Sequence, residues 1–249
     1  MTKVFVHGNP ETSAIWAPLV AALNERGVND VVLLSPPGFG APVLQGWTAT
    51  VQEYRNWLVG ELEKIGGDID LVGHDWGAGH VFSVLGYHSD LVRSWAVDCV
   101  GLLHPDYVWH DAALGWQTPE VGEQIVAAMI AMEEDVFAQS FVELGMTDSI
   151  ARDIKASIDQ DMGSCVLALY RDAAQPAMSR LGERLIVNRP PHGLVFIAEQ
   201  DHFAGSVAMM EEMAEVLNAD IARLAQCGHW WMIQNPDAAA DHLVRHWKK

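Results

Sequence analysis

Asp70-Leu-Val-Gly-His-Asp-Trp-Gly-Ala-Gly79 is the stretch that decides the fold. A short apolar run (Ile69, Leu71, Val72) ends in Gly73-His74-Asp75-Trp76-Gly77, and a helix-compatible segment, 78–86, follows directly. Strand, sharp turn and helix in that order form a nucleophile elbow. Small residues two before and two after the central position let its side chain project above a sheet. Serine is the usual occupant; here it is Asp75. A plain turn residue is the competing reading, and the partners found further along the chain weigh against it.

On either side of the elbow, strands and helices alternate. Residues 3–6 form a short apolar strand followed by His7-Gly8-Asn9-Pro10-Glu11-Thr12. Thr12 or Ser13 can cap a helix running to about Arg26. Residues 31–34 make the next strand, and Thr48 or Thr50 begins a helix ended by Gly66-Gly67. A strand over 94–100 continues the series. Near-continuous apolar character in each strand indicates a parallel sheet with helices on both faces. From about Leu103 to Pro190 the spacing predicts helices only, at 119–144, 149–158, 165–174 and 176–185. The alternation then resumes with strands at 194–198 and 221–224 and helices at 206–217 and 236–247. The expected architecture is an α/β core of 1–102 and 191–249, with a helical cap, or lid, of 103–190 that carries specificity and excludes water.

Composition narrows the partners. Lys+Arg 15 against Asp+Glu 33 gives a net charge of −18, which argues against nucleic acid, anionic membranes and strongly anionic substrates. Half the residues are hydrophobic and 19% charged, so a packed core rather than disorder is expected. Cys99, Cys165 and Cys227 lie far apart, which fits a reducing compartment and offers no metal site. Met1-Thr-Lys-Val-Phe-Val enters a strand pattern at once, leaving no room for a signal peptide, and no apolar run approaches the ~18 residues of a membrane span. A cytoplasmic protein acting on a small molecule is the expectation.

An elbow nucleophile needs a general base, and the base an orienting acid. The strand at 194–198 leads into Glu199-Gln200-Asp201-His202, and the last strand into Cys227-Gly228-His229-Trp230. Both candidates sit at the C-terminal ends of strands, where open α/β sheets place their sites. Asp201 as acid and His229 as base complete a triad with Asp75. Asp201 could instead cap the next helix, leaving Glu199 or Asp98 as the acid. His7 braces the neighbouring loop rather than reacting. The remaining histidines have no metal-ligand spacing.

With His7-Gly8-Asn9-Pro10, Gly73-His74-Asp75-Trp76-Gly77 and Gly228-His229-Trp230 in this order, the chain resembles α/β-hydrolase fold enzymes with an Asp nucleophile, the epoxide hydrolases and haloalkane dehalogenases. The resemblance covers essentially the whole chain. One departure is that the chain begins at the strand that is usually third. It implies a mostly parallel sheet of about six strands whose uncovered edge offers a homodimer surface. It also implies an oxyanion hole from the backbone amides of Asn9 and Trp76.

A carboxylate attacking a carbonyl would give an anhydride-like species with little gain. Attack on a saturated carbon gives an alkyl ester, which water activated by His229 can hydrolyse. The substrate therefore carries an electrophilic saturated carbon and a leaving group, and no cofactor or metal is implied. Epoxide hydrolases protonate the departing oxygen with lid tyrosines. Tyr170, in Leu169-Tyr170-Arg171, is similar to that segment, and Tyr107 is a candidate second donor. Haloalkane dehalogenases hold the halide with N–H donors, for which Asn9, Trp76 and Trp116 are available. Trp76 stands where fluoroacetate-type relatives place an Arg. The expected function is epoxide hydrolysis of a small to medium uncharged epoxide to a diol. Haloalkane dehalogenation is the alternative, and a non-catalytic ligand-binding protein the second.

Overall fold

The computed structural model describes residues 1–248. The chain opens with β1 (Thr2–Val6), α1 (Ala17–Glu25), β2 (Val31–Leu34), α2 (Val51–Ile65), β3 (Ile69–Gly73), α3 (Trp76–His88) and β4 (Ser94–Val97). Six helices follow without a strand: α4 (Asp111–Gln117), α5 (Val121–Ala131), α6 (Glu134–Glu143), α7 (Asp148–Ser157), α8 (Gln160–Asp172) and α9 (Ala177–Asn188). The alternation closes with β5 (Gly193–Ala198), α10 (Val207–Val216), β6 (Asp220–Leu224), α11 (Trp231–Gln234) and α12 (Pro236–Trp247).

The strands form one sheet in the order β2-β1-β3-β4-β5-β6, and every pairing is parallel. This is an α/β-hydrolase fold. Strands β3, β4 and β5 are buried at every residue, as expected when helices cover both faces. Helices α1 and α12 pack together, as do α2 and α3. Asp70, polar in the middle of β3, is fully buried but held by Lys3 on β1 and by Arg93 and Ser94 next to it. A buried carboxylate without such partners would be costly. Of the described residues, no helix is long and apolar enough to cross a membrane.

Three departures from the sequence expectation have a clear local reason. The strand expected over 94–100 stops at Val97. Asp98 turns its carboxylate to the Asp75 amide and Cys99 adopts a left-handed conformation (φ 50°), after which Val100–Leu103 winds into a 3-10 turn. The helix expected over 119–144 is two, α5 and α6, with extended backbone at Met132 and Glu133. Glu134 and Asp135 open the second, where the helix dipole favours negative charge. Helix α4 was not foreseen because its cap is unusual: the His110 ring accepts from the Ala113 amide.

Candidate active site

Parallel pairing brings the C-terminal ends of β1, β3, β4, β5 and β6 to one rim, and each of the following loops contributes there. After β3, Asp75 takes φ 52° and ψ −122°, a conformation that costs a non-glycine residue on the order of 1–3 kcal/mol and persists only where its surroundings impose it. Close packing does so. A Cβ at Gly77 would fall on the Val6 carbonyl, and one at Gly73 would lie 2.7 Å from the Ala78 nitrogen.

The Asp75 carboxylate is divided in its duties. Oδ1 accepts from the Asn9 backbone amide at 2.8 Å, whereas Oδ2 lies 3.7 Å from His229 Nε2. His229 Nδ1 is 2.8 Å from Asp201 Oδ2, and Asp201 Oδ1 accepts from the Phe203 amide, also at 2.8 Å. Of the other acids considered, Glu199 pairs with Arg223 and Asp98 is engaged elsewhere.

That engagement is a buried cluster beneath the three residues. His74 lies between Asp98 and Glu11, its Nδ1 on Asp98 and its Nε2 3.0 Å from Glu11. Asp98 also accepts from the Trp231 indole at 2.7 Å, and Glu11 from the Trp230 indole at 2.6 Å and the Gly8 amide at 2.9 Å. Burial works against a charged His74, but the two carboxylates outweigh it and its pKa stands well above the ordinary value. Burial likewise opposes ionisation of Glu11, yet His74 holds it down to about 2. The ionic form is thus carboxylate, imidazolium, carboxylate. The two indoles that follow His229 end on the two carboxylates, so the loop carrying His229 is fastened to the loop carrying Asp75. Sequence reasoning missed this cluster because Glu11, His74, Asp98 and Trp231 are scattered along the chain and share no motif. His7 is also buried, which lowers its pKa to about 4, and its ring joins Gly8 to Ser35.

Burial raises the Asp75 pKa to about 6; His229 opposes the shift and Glu11 adds to it. For His229, burial favours the neutral ring, but Asp201 more than offsets it and the pKa is raised. Asp201 is lowered despite its burial, chiefly by His229.

Above Asp75 stands an aromatic wall. Tyr170, from α8, meets the rings of Trp76, Trp109 and Trp116 with centroids 5.2, 5.6 and 4.7 Å away. Its hydroxyl lies 3.5 Å from the Asn9 side-chain amide, which donates to it. Burial, then the charge of Asp75, puts its pKa well above the ordinary phenol value, although Asn9 and Trp76 both act to lower it. The indole nitrogens of Trp109 and Trp116 are buried without a hydrogen-bond partner among the described residues. Tyr107 is placed differently. Its hydroxyl donates to the Phe203 carbonyl at 2.8 Å, which occupies the proton a second donor would need. Trp109 had no sequence signal, being an isolated aromatic in an irregular segment.

The fold also brings together donors that chain spacing could not show. Glu11, His74 and His229 form one triplet within cation-ligating distance of one another, and Cys99, Asp201 and His229 another. Both depend on His229, and the donors in each already satisfy one another: His74 with Glu11, His229 with Asp201.

Solved structures share this fold. A haloalkane dehalogenase loop variant from Bradyrhizobium elkanii superposes with a TM-score of 0.75 at 19% identity, covering 99% of this chain and 90% of that one. An enol-lactonase from Burkholderia xenovorans gives 0.72 at 18% identity over 100% and 91%, and an esterase from Thermogutta terrifontis 0.74 at 18% over 100% and 89%. No curated protein matches the chain. The elbow, the rim of strand ends and all of the parallel sheet but the first two residues of β1 lie within residues 4–242, which match the model of the Alpha/beta hydrolase family, and the chain belongs to that family.

Proposed function

We propose that the protein is an epoxide hydrolase for small to medium uncharged epoxides, with Asp75 as nucleophile, His229 as base and Asp201 as its orienting acid. The observation that carries this reading is the place of the Tyr170 hydroxyl. It accepts from the Asn9 side chain beside Trp76, two of the groups that would hold a halide. A phenol oxygen already fills that position. With its lone pair engaged by Asn9, Tyr170 has its own proton free for a leaving oxygen.

In the first half-reaction Asp75 Oδ2 attacks a ring carbon, the carbon–oxygen bond breaks, and Tyr170 protonates the departing oxygen. Oδ1 stays on the Asn9 amide, ready to become the oxyanion. Esterification removes the Asp75 charge, one of the influences that raise His229. The imidazole is then better able to be neutral and to take a proton from water attacking the ester carbon. On collapse His229 returns that proton to the diol oxygen. The second water proton, left on the Asp75 carboxyl, passes to the far more basic tyrosinate. Helices α4 to α9 serve as the lid, placing Tyr170 and Trp116 over the nucleophile and excluding water.

Replacing His229 with Gln should let the ester form without hydrolysis. Intact mass after exposure to an epoxide panel should increase by the whole epoxide, with the adduct on Asp75. An increase by an alkyl group alone from haloalkanes would replace this reading with dehalogenation. No adduct from either panel would leave the non-catalytic binder.

A further inference from the structure

A groove of about 380 Å³ opens where α2 and α3 of the core meet the end of α8 and the start of α9. Its charge is unlike that of the rest of the molecule. The chain carries 15 Lys+Arg against 33 Asp+Glu, and Arg26, Arg93, Arg152, Arg171 and Arg223 all form ion pairs. Arg55 and Arg180 line the groove and, like Arg184, Arg189 and Arg245, form none among the described residues. Arg55 and Arg184 both lie against the Tyr87 ring, with guanidinium carbons 4.1 and 3.8 Å from its centroid. Arg55 Nε is buried without a hydrogen-bond partner among the described residues.

Ser83 adds an independent observation. It is 1% exposed, lines the groove, and its hydroxyl has no hydrogen-bond partner among the described residues. The oxygen is reached from the groove rather than sealed in the core, so the hydroxyl is free to donate to a ligand there. Asp172, the one carboxylate in the wall, is already accepting from the Val51 amide at 2.8 Å.

We propose that this groove binds a small organic anion, its carboxylate or phosphate oxygens held by Arg55, Arg180 and Ser83 and its apolar part resting on Met178 and Leu181. The ligand sits at the seam between core and insertion. Helix α3 runs from Trp76 to Ser83 and Tyr87, and α8 carries Tyr170 two residues before Asp172.

Calorimetric titration of the intact protein with phenyl phosphate, benzoate and uncharged benzyl alcohol tests this. At least one anion should bind saturably below ~10 mM and the alcohol should not. Arg55→Gln or Arg180→Gln should weaken that binding about tenfold, because a charge-assisted contact is lost, and Ser83→Ala more modestly. Two separate arginine variants keep the test usable should one fail to fold. The phosphate and carboxylate arms identify which anion the groove prefers. Absence of saturable anion binding, equal binding of benzyl alcohol, or affinity unchanged in both arginine variants would overturn the proposal.

Discussion

Asp75 sits where two demands conflict. In the role proposed for it, attack requires a carboxylate, but burial, and then the charge of Glu11, disfavours its ionisation. The balance is a pKa raised to about 6, with His229 and His74 as the compensating cations. The sign of the pH effect follows. Protonated Asp75 cannot attack, so kcat/KM for an epoxide should rise with pH through a midpoint near 6 instead of the ~4 of a solvated Asp. A pH–rate profile flat down to ~4.5 would show that this carboxyl is not the nucleophile, or is not perturbed. At this scale the residue identities were readable because Asp75 and His229 lie in local motifs. The Tyr107 hydroxyl was not readable, since its partner, the Phe203 carbonyl, is 96 positions away.

Four loops behave as one part. The turns after β1, β3 and β4 meet at Glu11, His74 and Asp98, and Trp230 and Trp231, on the loop after β6, fasten His229 to that cluster. The strand and helix order follows from periodicity, so the sheet was legible from the sequence. The cluster was not, because its members come from different strand ends and only the parallel register brings them together. Buried ion pairs of this kind are revealed by removing one member. His74→Ala leaves two buried carboxylates without their cation and should cost about 3–5 kcal/mol in urea unfolding at pH 7. In the native protein the His74 contribution is complete below its unfolded pKa of 6.5 and fades as pH rises through the raised folded value. Glu11 contributes above 4.5 and loses its share as pH falls toward about 2. The gap between wild type and variant should therefore narrow from pH 7 to ~4.5, where the orphaned carboxylates of the variant can protonate. A gap under ~1 kcal/mol at pH 7 would mean the cluster is not the fastening inferred from its geometry.

Across the whole molecule, net charge selects what reaches this rim. A charge of −18 creates a field that repels anions over about 30 Å at ~0.01 M salt but only about 8 Å at ~0.15 M. The field is uneven, since Arg55, Arg180 and Arg184 gather at the groove between α3 and α9, whereas carboxylates gather around Asp75. On the proposed readings, an anion is held at the seam and still excluded from Asp75. Composition alone gave the sign of the net charge; the two-sided distribution needed the fold. Turnover of an uncharged epoxide should change less than ~2-fold in kcat/KM between ~0.01 and ~0.15 M salt. An analogue of the same size bearing a carboxylate should be at least ~10-fold slower at the lower salt, and the gap should close as salt is added. A carboxylated epoxide turned over as fast as its neutral analogue at low salt would show that the field around Asp75 does not select the substrate.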